Sequence, residues 1–216
     1  MDVLNQARKI LSTGIPWLEL DLTFPVDAWK EQVLEANSYY QEYRDGDSKG
    51  WASCCLHGLA VDKIYTADNY GYNEYSAPYQ YTDLAYKTPL ITDFWRNQFP
   101  SEHYTRIRFM RVAAGGSINW HNDGSLPDGI DPLESILPIN LAVIHPRNCE
   151  MEIEGHGVVP WSEGKIIMLN ISKNHAVFNR SSKDRIHMIA NVVLGNKKKE
   201  FAEMLVRCYN KQYGQI

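Results

Sequence analysis

Arg106-Ile-Arg-Phe-Met-Arg-Val-Ala-Ala-Gly-Gly-Ser-Ile-Asn-Trp-His-Asn-Asp123 decides the fold. Arg106 to Val112 reads as a β-strand, because Arg106 and Arg108 alternate with Ile107 and Phe109 and so share one strand face. That pairing of cations predicts a solvated outer face for Arg106 and Arg108, the alternative being that one of them reaches a substrate carboxylate. Ala113-Ala-Gly-Gly-Ser117 then interrupts the pattern with paired glycines, which predicts a tight turn. Ile118 to His121 resumes an extended run, so His121 falls at a strand end. Two residues further on, Asp123 can point to the same side, and the two side chains can close on one ion.

A second block ends in the same kind of chemistry. Lys165 to Asn170 is an apolar strand after Gly164, and Ile171 to Asn174 is a polar bend that delivers His175-Ala-Val-Phe178. A turn over Asn179 to Asp184 leads into a last strand, Arg185 to Val193. There Arg185, His187, Ile189 and Asn191 share one face, and Ile186, Met188 and Ala190 the other. A polar face on so apolar a strand predicts the lining of a pocket. His121, Asp123 and His175 are the donors that a two-histidine, one-carboxylate face on Fe(II) requires, leaving the opposite face open to a cosubstrate and O₂. Arg185, ten residues after His175, suits a dicarboxylate such as 2-oxoglutarate, because a guanidinium grips a carboxylate through two parallel hydrogen bonds. His187 reads either as a group that orients the cosubstrate or as a hydrogen-bonded core histidine. His57, His103, His145 and His156 have no ligand spacing.

Length and charge bound the rest. The 216 residues are enough for a single barrel domain, read here as an N-terminal helical segment 1–48, a core 49–195 and a C-terminal helix 196–216. A net charge of −4 gives no global attraction to a nucleic-acid backbone. No apolar run approaches the ~20 residues that span a bilayer. Met1 to Lys9 lacks the basic start and apolar centre of a secretion signal, and the four cysteines have no zinc or redox spacing. These features predict a cytoplasmic chain with reduced thiols.

Four helices are expected: Val3 to Leu11; Ala28 to Tyr43, capped by Asp27 and stopped at Asp45-Gly46; Leu90 to Phe99 after Pro89; and Glu200 to Tyr209. Segment 64–87 holds seven of the thirteen tyrosines and reads either as a substrate-recognition loop or as a cover that packs on itself. Gly124 to Pro132 follows the His-x-Asp pair directly and is either a lid or a surface connection, with Asp128 and Asp131 as solvated turn residues.

From about Lys49 to Leu194 the chain resembles the aspartyl/asparaginyl β-hydroxylase family of Fe(II)/2-oxoglutarate oxygenases, which includes bacterial members acting on small molecules such as free proline. The matching blocks are Gly50-Trp51 with Leu56-His-Gly58, Arg108 to Gly115 leading to His121-Asn-Asp123, Ile139 to Ile144, Trp161-Ser-Glu-Gly-Lys165, and His175 to Asn179 through Arg185. The resemblance implies a double-stranded β-helix, a jelly-roll, cupin-like barrel with flanking helices and a metal at its open end. It also implies that His121, Asp123 and His175 hold the catalytic iron and that Arg185 binds the distal carboxylate of 2-oxoglutarate. The implied reaction is hydroxylation of an unactivated C–H bond of an amino acid, peptide or small molecule, with release of succinate and CO₂. Some animal members have glycine in place of the metal carboxylate, so Asp123 points to the bacterial branch. Many members carry an Arg-x-His pair where this chain has Leu137-Pro-Ile-Asn140, so Asn140 offers the cosubstrate a neutral hydrogen bond in place of a charge. The same barrel also hosts metal-dependent cupin enzymes that do not use 2-oxoglutarate, and non-catalytic ligand-binding barrels.

Overall fold

The stretch that carries the His-x-Asp pair is one strand, not two: His103–His121 runs nineteen residues without reversing. The expected turn at the paired glycines is a bulge. Gly115 takes φ +70°, and a Cβ on Gly116 would lie 2.5 Å from the Lys49 carbonyl oxygen. Glycine lets the chain loop outward there while a neighbouring strand crosses close by, so the extended direction survives.

The computed structural model describes residues 2–43, 48–124 and 129–216. Along the chain lie α1 (Val3–Ser12), β1 (Trp17–Leu20), α2 (Val26–Val33), β2 (Gln41–Glu42), β3 (Lys49–Gly58), β4 (Gln80–Tyr81), α3 (Leu84–Lys87) and α4 (Pro89–Asp93). There follow β5 (His103–His121), β6 (Leu137–Ile144), β7 (Cys149–Ile153), β8 (Gly157–Val158), β9 (Ile166–Leu169), β10 (His175–Asn179), β11 (Arg185–Val193) and α5 (Lys198–Tyr213). The strands form one antiparallel sheet in the order β1-β9-β6-β11-β5-β10-β7-β8, with β3 also paired to β5 and carrying β2 and β4. The sheet curls into the half-barrel of a jelly roll, with helices on its outer side.

Two apolar clusters define its faces. Ile107 and Phe109 of β5, Ile139 and Leu141 of β6, and Ile186, Met188 and Ala190 of β11 pack outward with Trp29, Phe94, Trp95, Phe201 and Leu205 from the helical side. Val112, Ile118, Met151, Ile167 and Val177 form the inner cluster, edged by Trp51 and Trp161. Because strand side chains alternate, the residues between the outward set face the inside of the curl: Arg106 and Arg108, Pro138 and Asn140, Arg185 and His187.

The helices follow the sequence in part. α1 is capped by Asp2, whose carboxylate accepts from Asn5 N at 3.0 Å, and α5 extends beyond both expected ends. The expected Leu90–Phe99 helix is α4 continued by a π-turn, Phe94–Gln98, that closes on Phe99. The expected helix from Ala28 to Tyr43 is corrected: α2 starts after Pro25, stops at Val33 and tightens into a 3₁₀ turn, Leu34–Ser38. Gln41 and Glu42 must then extend to pair with Ser53 and Ala52, which a continued helix would forbid. Asp27 lies in the first turn rather than at the cap, and the Asp45-Gly46 stop lies outside the described residues. All four cysteines are free and buried. Among the described residues, no helix is long and apolar enough to cross a membrane.

Candidate functional site

The end of β5 and the start of β10 meet in register, His121 opposite His175. Their rings lie 4.3 Å apart between centroids. The backbone N–H of Asp123 donates to Ile171 O at 3.0 Å, tying the chain after β5 to the bend before β10. Asn122 donates to Asn174, and Asn174 to Glu154, bracing the two loops from outside. One ligand-type atom from each of His121, Asp123 and His175 falls within 4.8 Å of the other two. His175 is buried while Asp123 is exposed, so the cluster sits at the mouth of the curl.

The hydrogen bonds of the two imidazoles settle their tautomers. Nδ1 of His121 is 2.7 Å from Asn119 O, and Nδ1 of His175 is 2.9 Å from Lys173 O. A carbonyl oxygen only accepts, so each Nδ1 carries the proton and each Nε2 presents a lone pair. That is the orientation a metal-binding histidine needs. Burial, and then the neighbouring His121, lower the His175 pKa and favour the neutral ring that can donate to a cation. The donor set therefore fits a divalent transition metal of the Fe(II) class, with two imidazoles, one carboxylate and an exposed side.

Arg185 opens β11 on the inner face, 4% exposed and without a carboxylate partner among the described residues. Burial pulls its guanidinium down to about 10, which leaves it cationic at neutral pH. Its Nη2 donates to Nδ1 of the fully buried His187 at 2.8 Å. Because Arg185 can only donate, His187 must hold its proton on Nε2, which lies 2.9 Å from Nδ1 of His145. His145 then carries its own proton on Nε2. Trp161 packs edge-on against His187 at 4.7 Å. Burial first, then the Arg185 charge, push His187 well below its ordinary pKa and His145 down to about 4, so the chain of rings stays neutral. His145, which the sequence offered no reason to select, belongs to this chain because β6 ends beside β11. Only the strand register reveals that.

The structure does not bring Asn140 to Arg185. Asn140 stands opposite Ile189, four residues along β11, and its side chain makes no hydrogen bond among the described residues. It shares a row instead with Arg108, which also pairs with Ile189.

Arg106 and Arg108 are corrected most sharply. They are 7% and 9% exposed, inside the curl rather than on a solvated face. Both donate through Nη1 to Ile64 O at 3.2 Å, and Arg108 also donates to the Tyr43 hydroxyl. Tyr43 stacks on Trp51 at 4.0 Å, and Trp51 lies 6.1 Å from His121. The tyrosine-rich segment therefore starts directly over these arginines. Of the expected lid, 125–128 lie outside the described residues, Asp128 among them. Asp131 is a cap rather than a free turn residue, accepting from Leu133 N at 3.0 Å and pairing with Arg8 at 2.9 Å.

Comparison with known proteins adds the following. The family model described as aspartyl/asparaginyl beta-hydroxylase matches residues 26–194. An oxidoreductase of the 2OG-Fe(II) oxygenase family from Burkholderia pseudomallei superposes with a TM-score of 0.53 at 11% identity, over 88% of this chain and 92% of its own. A non-heme alpha-ketoglutarate-dependent epimerase from nogalamycin biosynthesis superposes with a TM-score of 0.50 at 8% identity, over 87% of this chain and 80% of its own. At these identities the two structures share the fold. No curated protein sequence matches the chain.

Proposed function

The chain belongs to the aspartyl/asparaginyl β-hydroxylase family of 2-oxoglutarate–Fe(II) oxygenases, and from that premise we propose that it hydroxylates an unactivated C–H bond of an amino acid, peptide or small molecule. In this reading His121, Asp123 and His175 hold Fe(II), and Arg185 holds the distal carboxylate of 2-oxoglutarate. Iron, once bound with 2-oxoglutarate, supplies activation of O₂ coupled to oxidative decarboxylation, which yields succinate, CO₂ and the hydroxylated product.

The observation that carries the proposal is the pair of Nδ1 contacts to Asn119 O and Lys173 O, which leaves two Nε2 lone pairs and the Asp123 carboxylate converging before any ion arrives. Such preorganisation is costly to maintain among mutually repelling donors unless a cation occupies them. The protein side chains have limited tasks. The triad keeps one side of the metal open, and Arg185 fixes the length and direction of a dicarboxylate reaching inward from it. His187 and His145 hold Arg185 in place. The apolar inner cluster keeps bulk water from the reacting centre.

The test is anaerobic titration with Fe(II) and then 2-oxoglutarate, followed by absorption spectroscopy. Wild type is expected to develop a weak metal-to-ligand charge-transfer band. His175→Ala should lose it through loss of iron, and Arg185→Ala should need much more 2-oxoglutarate to reach it. Iron binding without any such band would end the 2-oxoglutarate assignment.

A further inference from the structure

The tyrosine-rich stretch from Tyr65 to Tyr79 is a loop whose two roots are both fastened to β3. On one side Cys55 N–H donates to Val61 O at 2.9 Å and the Cys55 thiol to Lys63 O at 3.3 Å. On the other, Gln80 pairs with Gly58, and Thr82 N–H donates to Leu56 O at 3.0 Å. Between the roots the hydrogen bonds turn inward. Tyr65 N–H donates to the Tyr70 hydroxyl at 3.4 Å, and Tyr72 N–H to Ala67 O at 3.1 Å. Ala67 N–H donates to the Glu74 carboxylate at 2.7 Å, and the Tyr79 hydroxyl to Glu74 O at 2.9 Å. That is an Ω-loop, with adjoining ends and a body held by its own side chains, so its internal bonds survive a hinge motion about the two roots.

Two observations show that this body sits loosely on the barrel. Glu74 Oε1 lies 3.9 Å from Arg106 Nε, a long ion pair, and that Nε is buried with no hydrogen-bond partner. A crevice of about 280 Å³ separates Leu59 and Lys63, at the root, from Tyr70, Tyr72 and Pro78 on the loop. Close-packed interiors leave few voids larger than a water molecule, so the crevice gives the loop room to swing. What lies beneath is the arginine end of the inner face. Ile64 O, at the root, accepts from both Arg106 and Arg108. Tyr65 stands edge-on to Tyr43 at 5.2 Å, and Tyr43 and Trp51 continue the wall to His121.

We infer that segment 65–79 is a hinged lid over the inner face, latched by the ion pair of Glu74 with Arg106. Closed, it keeps both arginines from water. Open, it exposes them while the roots on β3 stay in place. A single ion pair suits a latch because it holds the closed state by a small margin, and breaking it leaves the barrel undisturbed. The motion itself stands apart from the proposed function. Its use, to admit a substrate and then shut out water during turnover, rests on that reading.

The experiment follows the initial rate at which phenylglyoxal, a dicarbonyl reagent for guanidine groups, modifies each arginine of the metal-free protein, read by peptide mass spectrometry. Exposed Arg147 reports the unhindered rate, and Arg185, inside the curl and away from the loop, reports general loosening. In wild type Arg106 and Arg108 should react at least about tenfold more slowly than Arg147, because they are reached only through the open state. Glu74→Gln removes the charge and keeps an acceptor for Ala67 N–H. It should speed both Arg106 and Arg108 by about fivefold, with Arg185 unchanged and the melting temperature within about 2 °C of wild type. Wild-type Arg106 and Arg108 reacting as fast as Arg147 would mean that no closed state exists. No acceleration in Glu74→Gln would mean that the ion pair latches nothing. A rise confined to Arg106 would report only its lost counter-charge, and an equal rise at Arg185 a loosened barrel. Each of these overturns the lid. Absence of the charge-transfer band in wild type would instead strike the proposed function and leave the arginine rates standing.

Discussion

Replacing His187 by leucine should separate the positioning of Arg185 from the chemistry at the metal. His187 is fully buried, and its Nδ1 is the one acceptor that the Arg185 guanidinium has among the described residues, since Arg185 Nε is itself unpartnered. Leucine fills similar space but accepts nothing. A hydrogen bond from a charged donor contributes roughly 1.5–3 kcal/mol, so its loss leaves a buried guanidinium free to reorient by that much. Expressed in 2-oxoglutarate binding, that is a rise in KM of about tenfold to about a hundredfold. Saturating 2-oxoglutarate should restore kcat to within about threefold, because the triad at His121, Asp123 and His175 is untouched. His187→Gln keeps an acceptor and should recover most of the affinity. Because burial holds His187 neutral, KM for 2-oxoglutarate in wild type should be nearly flat between about pH 6 and 8. Steady-state succinate release, with 2-oxoglutarate varied at each pH, reads all three. An unchanged KM in His187→Leu, with the melting temperature intact, would refute the claim that the imidazole chain orients Arg185.

Four further outcomes follow from buried groups and from two glycines. His57 is held down to about 4, mainly by burial and then by the charges of His103 and Arg96, whereas the unfolded chain titrates near 6.5. Between those values the unfolded state binds more protons, so stability is complete above about pH 6.5 and falls by up to about 3 kcal/mol as pH drops through the window. Urea midpoints that do not fall from pH 7 to pH 4.5 more in wild type than in His57→Gln would contradict this. Gly116→Ala should lower the melting temperature by about 5 °C or more, because its Cβ meets the Lys49 and Ala113 carbonyl oxygens at 2.5 and 2.9 Å. Gly14→Ala, with φ +69° and nothing nearby, should cost only about 1–2 kcal/mol. A thiol reagent should label none of the four cysteines in the native protein, since all are buried and Cys55 is pushed up to about 11 by burial; rapid labelling of any would place that residue at the surface.

Sequence made the strands around the triad legible because their apolar residues alternate and because both His121 and His175 sit at changes of pattern. It misplaced the turn at Gly115-Gly116, since paired glycines signal a reversal and a bulge equally well, and only the approach of Lys49 decides between them. The expected helix from Ala28 to Tyr43 failed for a related reason. Leu34 continues the helical spacing of apolar residues yet is exposed in the structure, while the demand of β3 for a partner at Gln41 and Glu42 comes from Ser53 and Ala52, outside the helical segment itself. Propensity yields to pairing there. The position of Asn140 opposite Ile189, on the inner face, follows from the register of β6 on β11, which the sequence does not show.

The arginines of β5 carry the deeper lesson. Alternating cationic and apolar residues on a strand state that one face is polar; they do not state whether that face meets water. In an open sheet the polar face is the solvent face, which is why Arg106 and Arg108 read as exposed. A sheet that curls on itself has a second polar surface on its inside, and the helices claim the apolar side. Arg185 follows the same rule on the adjacent strand: Ile186 and Met188 pack outward, while Arg185 and His187 turn inward. Once the outer position of Ile107, Phe109, Ile186 and Met188 is known, all three arginines must lie inside together.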